Sequence, residues 1–554
     1  MEPKQALRHV THEVENQPPP LRDTNLYETD RCLMEAVAHG GASWHEPALA
    51  AFGGLAGSAR VIALGHDANR FTPILHTHDR FGHRIDEVEF HPSWHELMSL
   101  ALGNQVHCLP WTDRRPGSHV ARAALAFMLN QAESGVCCPM AMTFASLPAL
   151  KHQPDVAAEW EPRITRAEYD PRYEPATAKN AATIGMAMTE KQGGSDVRAN
   201  ATRAEPVGPG GPGAEYRLTG HKWFCSAPMS DAFLTLAYAK GGLSCFLVPR
   251  WRPDGSRNAI LIQRLKDKLG NRSNASGEIE YHGATAVMIG EEGRGVSTII
   301  EMVHHTRLDA AVSAAGIMRQ ALVQAAFHAR HRSAFQKRLV DQPLMRQVLA
   351  DLAIESEAAT TLVMRLARAF DDAPADPTQR AFARIATAIA KYWVCKRAPG
   401  LVYEALECHG GGGYVEESIM PRLYREAPVN SIWEGCGNVM CLDILRALAK
   451  DPESAAALVA ELDGAKGSDA TLDKAVADVK AALAGGAVGE ADARRVAEQA
   501  ALALQGAALV RQGDPAVAAA FIRARLGDSP ALAYGALPRG IDPAPLLDRV
   551  SPAA

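Results

Sequence analysis

Short β-like segments sit between two long helical blocks, and few folds accept that order. From Asn25 to about Lys179 the pattern is mostly helical. It is clearest in VARAALAFMLNQAESGVCCPMAMTFASLPAL from Val120, where small and apolar residues recur at helical spacing. Near Ala182 the character changes. YRLTGHKWFCS from Tyr216, FLTLAYA from Phe233, LSCFLVPR from Leu243, AILIQRL from Ala259 and GEIEYHG from Gly277 are β-rich and separated by turn residues. Strands at this spacing predict a small antiparallel barrel or sandwich. Helical periodicity returns at about Gly295, with long helices expected over 296–331, 343–370 and 378–408. Pro343 and Pro377 stand where proline suits helix entry. A glycine loop, HGGGGYVEES, then precedes a last helix over 437–450, and amphipathic helices joined by short connections argue for a bundle. Beyond Asp451 the composition shifts to Ala, Gly and Val, again as helices.

The expected class is α+β in four parts. A polar arm ending in Pro18-Pro19-Pro20 and a helical domain span 1–180. An antiparallel β-domain spans 181–292, a helical bundle 293–450 and an additional helical domain 451–554. A chain of 554 residues is too long for one core, which agrees with several domains. A net charge of −5 gives no global attraction to nucleic acid or anionic membrane. The ten cysteines are scattered, without a Cys-x-x-Cys pair, and read as reduced thiols of a cytoplasmic protein. The first twenty residues lack the apolar core of a signal peptide, and no long apolar run predicts a membrane span.

Three motifs can carry chemistry, and each has a plainer reading. MTEKQGGSDV, from Met188, packs hydrogen-bonding groups around Gly193 and Gly194, whose backbone can approach a planar ligand closely; it also reads as a polar interdomain loop. The aromatic pair Trp223-Phe224 and the Ser226 hydroxyl, on the strand that follows, favour the ligand. In NSIWEGCGNVMCLDILRAL, Glu434 precedes Gly435-Cys436-Gly437 and a helix start. A carboxylate buried there can act as a general base, or simply cap the helix. The helix dipole lowers its pKa and apolar burial raises it. The four glycines 410–413 can hold an anion such as a pyrophosphate, or form a flexible helix end.

Other features carry less. VGPGGPG matches G-x-G-x-x-G literally, but prolines interrupt it and a strand follows, so it reads as a hairpin tip. His76, His78 and His83 have no matching ligand set, and no metal is expected. His304 and His305 are expected on different sides of a helix, in structural roles. RHRSAFQKR is either a solvated basic face or a phosphate grip.

Together these stretches resemble the acyl-CoA dehydrogenase superfamily, and within it the AidB branch, the flavoproteins of the adaptive response to DNA alkylation. Thr189 to Asp196 reads T-E-K-Q-G-G-S-D, the AidB-like form of the family's T-E-P-x-A-G-S-D. RLKDKLGNRSNASGEIE, LMRQVLADLA, PRLYREAPVNSIWEGCGN and NQPPPLRDTNLYETD resemble the same branch. The resemblance implies bound FAD and a homo-oligomer, usually a tetramer. Met186, Met188, Thr189, Gly194 and Ser195 would edge the flavin. Phe224, Cys225 and Ser226 would cover its other side. Ile432, Trp433, Glu434, Gly435 and Asn438 would close over it. Arg332 would reach the flavin phosphates of a neighbouring subunit, and Gly411 belongs to the glycine turn that packs on the cofactor. Glu434 matches the catalytic base, which takes the α-proton of an acyl-CoA while the β-hydride leaves to the flavin. The branch that places its base on the long helix has a carboxylate where this chain reads His304-His305-Thr306-Arg307.

The resemblance also implies double-stranded DNA as a partner, with Arg446 and, on the last domain, Arg494, Arg495, Arg523 and Arg525 as candidate contacts. An acyl-CoA dehydrogenase without DNA binding is the alternative. Residues 451–554 hold ten Lys/Arg against fourteen Asp/Glu, a poor footprint for phosphate neutralisation. Two further departures are Cys436, where most relatives have Thr or Ser, and Gln336, at the glycine of R-x-x-F-G.

Overall fold

The computed structural model describes residues 11–484, 488–528 and 530–550. The first half of the polar arm lies outside these residues. The first helical block runs from Arg31–His39 to Pro154–Ile164. Asp30 caps its first helix, accepting from the Leu33 N–H at 3.1 Å. At its centre, Ser118–Ala132 is buried on nearly every side and packs against Gly295–His331, so this block and the bundle share one core. One segment expected as helix is not helical. Ile74–His78 pairs antiparallel with Arg84–Glu89. The turn between them is set by Asp79, whose carboxylate accepts from the Phe81 and His83 N–H groups. The histidines of LHTHDRFGH serve this hairpin: His76 bonds Glu89 at 2.7 Å and His83 bonds Asp79 at 2.9 Å.

The middle domain is a small closed barrel. Glu215–Ser226 pairs with Ser276–Ile289, which pairs with Gly242–Pro249, which pairs with Ala232–Ala239, all antiparallel. Arg203–Pro206 pairs antiparallel with Glu215–Ser226 and closes the ring through an Arg203–Tyr238 bridge to Ala232–Ala239. The expectation of a wholly antiparallel domain needs correction. Ile184–Ala187 lies parallel to Ala232–Ala239, and the bridge from Arg203 is parallel too. Parallel partners need a long crossover, and here two strands and the 188–197 segment supply it. VGPGGPG is a hairpin tip, closed by Val207 N–H to the Glu215 carbonyl at 2.8 Å.

The bundle consists of Gly295–His331, Pro343–Asp372, Pro377–Glu407 and Gly437–Lys450. Pro343 and Pro377 both open their helices, and Asp376 caps the second by accepting from Thr378 and Gln379. The barrel meets the bundle at a close seam, where a Cβ on Gly270 would lie 2.2 Å from the Arg425 carbonyl. Beside it the buried Glu426 carboxylate accepts from the Asn271 N–H and amide at 2.6 and 2.8 Å. Phe335 and Gln336 adopt φ of +53° and +62°, so the turn where the resemblance leads one to expect glycine is kept here with Gln336 in the left-handed region.

The last block, from Pro452–Asp463 to Pro543–Val550, adds helices to the bundle's own core. Ile354 and Ala358 of the bundle pack with Leu509, Phe521 and Leu546. Ion pairs pin the contact. Arg525 reaches Asp351 at 2.5 Å and Glu355 at 3.1 Å, Arg549 reaches Glu357 and Glu35 at 2.9 and 2.6 Å, and Arg365 reaches Glu461 at 2.7 Å. Arg525 therefore faces the bundle and does not belong to a surface stripe.

Candidate active site

The Met188–Val197 segment is built from the inside. Glu190, its carboxylate, faces inward. It is fully buried and pairs with Lys222, also fully buried, at 2.8 Å. The same carboxylate accepts from the N–H groups of Ala201 and Thr202, the Thr202 hydroxyl and the Gln192 amide, at 2.6, 3.2, 2.6 and 2.8 Å. Burial opposes its charge, but the Lys222 ammonium and these donors win and hold its pKa at about 2. The segment is tied to the next strand by the Trp223 N–H, which donates to the Thr189 carbonyl at 2.7 Å. Gly194 then folds over Thr189 so closely that a Cβ would lie 2.4 Å from its hydroxyl oxygen. Thr189 and Gly194 sit at the inner edge of the strap, and Ser195 is exposed beside them.

On the strand that follows, pairing slips between Lys222 and Cys225. Lys222 points inward, Trp223 is half-buried, and Phe224 stands 49 % exposed. Cys225 turns back into the barrel core and has no exposed surface, so only its backbone is available to a ligand; strand alternation decides this. Ser226 is half-buried and in reach of Cys138. Lys266 lies over both aromatic faces, 3.7 Å from the Trp223 centroid and 4.5 Å from that of Phe224.

The third side is the loop before Gly437–Lys450. Glu434 has φ +57° and Gly435 φ +103°. Cys436, not Glu434, is the N-cap residue, and no side chain caps this helix, which removes the capping reading of Glu434. Its Oε2 is shielded from solvent and has no hydrogen-bond partner among the described residues. Burial raises the Glu434 pKa above the ordinary carboxylate range; the Thr306 hydroxyl and the Arg307 and Lys391 cations oppose that rise. Trp433 packs in one apolar cluster with Met186 and Met188, which brings loop and strap together. Cys138 lies close enough to feel the Glu434 charge while it reaches Ser226, so the strand end joins them. Ile432 is 63 % exposed at the rim.

Two predicted residues are not part of this cluster. Arg332 follows the helix that carries Arg307, about 37 Å further along at 1.5 Å per residue. There its guanidinium donates to the Asn16 carbonyl at 2.5 Å. The turn Gly410–Tyr414, with Gly411 exposed, is at the same remote end, where the rings of His328 and His409 lie 4.6 Å apart. Within one chain neither reaches Glu434. Asn438 is exposed and accepts from Arg494 at 2.8 Å; Arg495 pairs with Asp492 at 3.1 Å, and Arg446 is exposed without an ion pair among the described residues.

Sequence reasoning missed several residues at the site: Cys138, Lys268, Thr306 as a neighbour of the carboxylate, Arg307 and Lys391. Lys268 donates to the Asn274 carbonyl at 2.5 Å and the Ser276 hydroxyl at 2.9 Å, and burial lowers its pKa to about 8. The signal for Lys391 was a lone charge in the apolar run AIAKYWV. His304 and His305 share Phe370 as a neighbour, while only His305 also meets Trp111, His119 and Phe144. Both rings meet Phe370, that of His304 stacked at 4.7 Å and that of His305 tilted at 5.0 Å, and burial lowers the His304 pKa to about 3. Among the described residues no group of His, Cys, Asp or Glu is arranged to hold a metal ion, and no single helix is long and apolar enough to cross a membrane.

Three family models match the chain in order: the adaptive response protein AidB N-terminal domain over 16–171, the acyl-CoA dehydrogenase middle domain over 185–284 and the acyl-CoA dehydrogenase C-terminal domain over 293–449. The chain is 46 % identical over 518 residues to the Escherichia coli (strain K12) protein named "Putative acyl-CoA dehydrogenase AidB", covering 93 % of this chain and 94 % of that one. It is 32 % identical to acyl-CoA dehydrogenase family member 11 of Caenorhabditis elegans, covering 70 % of this chain and 64 % of that one. The solved structure of Caenorhabditis elegans ACDH-11 in complex with C11-CoA superposes with a TM-score of 0.84 at 28 % identity, covering 95 % of both chains. The order of domains, the barrel between helical blocks and the match along nearly its whole length lead to one conclusion: the chain belongs to the acyl-CoA dehydrogenase superfamily, in its AidB-like branch.

Proposed function

We propose that this protein is an FAD-dependent oxidoreductase of the acyl-CoA dehydrogenase type, with Glu434 as its base. The observation that carries the reading is the shielded, unpartnered Oε2 of Glu434, on a loop whose Trp433 packs in one apolar cluster with Met186 and Met188. The residues present fit a flavin. Phe224 offers an exposed aromatic face, Gly194 leaves no side chain at the inner edge, and Thr189, Ser195 and Ser226 offer hydroxyls there. Met186, Met188 and Trp433 supply an apolar wall. When bound, FAD supplies the two-electron acceptor for the β-hydride of an acyl thioester. Glu434 would take the α-proton at Oε2; loss of that proton together with the β-hydride leaves a carbon–carbon double bond next to the thioester. The distant positions of Arg332 and Gly411 favour a cofactor site completed by a second copy of the chain in a homo-oligomer.

The substrate class is a short or branched acyl-CoA; ACDH-11, solved with C11-CoA, shows that a neighbour of this fold takes an acyl-CoA. The purified protein is expected to be yellow, and its flavin to bleach anaerobically with at least one member of an acyl-CoA panel. Colourless protein that takes up no FAD on reconstitution sinks the reading.

A second reading, a role at DNA in the response to alkylation, is supported by the match to the AidB N-terminal domain and by the exposed, unpaired Arg446. Charge opposes it: residues 451–554 are net acidic, and Arg494, Arg495 and Arg525 are already engaged. The expected gel-shift result is weak binding of duplex DNA that fades steeply as salt rises, lessened by Arg446→Gln. No shift at low salt, or a shift without salt dependence, removes the DNA role and leaves the dehydrogenase alone.

A further inference from the structure

We infer that Lys391 is a positioning residue for Glu434: it holds the 433–435 backbone in the left-handed turn that sets the direction of the carboxylate. The inference rests on the dehydrogenase reading above for its functional meaning, but its geometry stands by itself. Lys391 lies in the middle of Pro377–Glu407 and is 1 % exposed. A buried ammonium normally meets a carboxylate. This one forms no ion pair among the described residues. It donates instead to two peptide carbonyls, Trp433 at 2.7 Å and Gly435, which bracket Glu434. The carbonyl between them, that of Glu434 itself, accepts from Arg307 Nε at 3.0 Å. Three successive carbonyls are thus gripped by two cations.

The two grips are not equivalent. Arg307 is neutralised by Asp443 at 2.7 Å, and Asp443 also receives Arg384 at 2.9 Å. Arg307 therefore anchors the loop to the Gly437–Lys450 helix. Lys391 has no such counter-charge, and its field falls on the loop and on the carboxylate beyond it. The conformation held in place is one that a non-glycine residue rarely adopts, with Glu434 at φ +57°. Gly435, at φ +103°, sits so close to Met440 that a Cβ would meet its methyl carbon at 2.6 Å. Such a loop persists only when its surroundings over-determine it. Without the lysine, the Trp433 and Gly435 carbonyls lose their buried donor and Glu434 loses a nearby positive charge, which leaves Arg307 alone to hold the loop.

The charged and titratable groups around Glu434 come from several elements. Gly295–His331 presents Arg307, with His304 behind it. Pro377–Glu407 presents Lys391, with Arg384 and Cys395 nearby. Gly437–Lys450 presents Asp443, Cys137–Leu150 presents Cys138, and the loop itself carries Cys436. Arg307 and Lys391 are the cations that act on the carboxylate, and Asp443 offsets only the first.

The test compares flavin-loaded wild type, Lys391→Gln and Lys391→Met. Infrared difference spectra against Glu434→Gln follow the carboxyl titration without substrate. Anaerobic stopped flow with an acyl-CoA that bleaches the wild type follows reduction. Lys391→Met is expected to keep its flavin, to move the Glu434 titration upward, to shift the pH–rate profile the same way and to slow bleaching about 100-fold near neutral pH, with little change in substrate affinity. Lys391→Gln, which keeps donors but no charge, should fall between. A Lys391→Met protein whose titration and pH–rate profile overlay those of the wild type overturns the inference. So does failure of both variants to fold with flavin, which would make Lys391 a scaffold residue. If no acyl-CoA bleaches the wild type, the dehydrogenase reading fails, and the infrared titration still decides the role of Lys391.

Discussion

Glu434→Gln is expected to keep FAD and fold normally while flavin reduction by an acyl-CoA falls by about 10²–10⁴-fold, the usual contribution of a positioned general base. Glutamine preserves the shape of the loop, because Lys391 and Arg307 hold backbone carbonyls rather than the carboxylate. It removes the one group able to accept the α-proton at Oε2. In the wild type, burial raises the Glu434 pKa and the neighbouring cations only partly oppose it. A base acts when deprotonated, so the reductive rate should climb with pH through an apparent pKa above the ordinary glutamate range and then level off. Rapid-reaction traces across pH check both points. Full reduction by the glutamine variant would take the base role away from Glu434.

Glu190→Gln is expected to lower stability by about 3–5 kcal/mol, since it strands the Lys222 ammonium without a counter-charge in a site closed to solvent. The Lys222 Nζ would keep the Leu236 carbonyl, now at 2.8 Å, and at best a neutral amide oxygen in place of the carboxylate. Lys222→Met should cost less, because the carboxylate left behind still accepts from Ala201, Thr202 and Gln192. The acid side of the stability curve follows from the same pair. The folded-state pKa of Glu190 is depressed to about 2 from 4.5, so its contribution is complete above about pH 4.5 and is lost as pH falls toward 2. Denaturant unfolding of both variants, with flavin release measured alongside, tests the claim. Flavin should dissociate more readily from Glu190→Gln, because the carboxylate shapes the turn that places Thr189 and Gly194. An unaltered unfolding midpoint would mean the pair is not what holds the strap.

The sequence made the element order and the main boundaries legible where periodicity was long or turn chemistry strong. Pro343, Pro377 and Asp376 mark helix entries because proline fits the first turn and aspartate satisfies its free N–H groups. It was less legible at Ile74–Glu89, where ten polar residues and a short length hid a hairpin inside a helical block. At the site, the glycine-rich motifs and Glu434 were visible because glycine punctuates the chain. The direction of each side chain was not. Glu190 and Ser195 stand five residues apart in one motif, yet one is sealed in the protein and the other open to solvent. Cys225 and Phe224 are neighbours that alternation sends to opposite faces, and a slip in strand pairing lets Lys222 and Cys225, three residues apart, both turn inward.

The sequence alone determined which blocks are helix and which are sheet, because hydrophobic spacing and proline or glycine placement act over a few residues and need no distant partner. It also placed the chain among its relatives, since the motifs are local strings. Only the tertiary structure decided which charges meet. Lys222 finds Glu190 across 32 positions, Arg307 finds Asp443 across 136, and Lys391 reaches the carbonyls flanking Glu434 across more than 40. Electrostatic and hydrogen-bond partners depend on distance in space and on exclusion of water, and neither quantity exists until the barrel and the bundle close on one another.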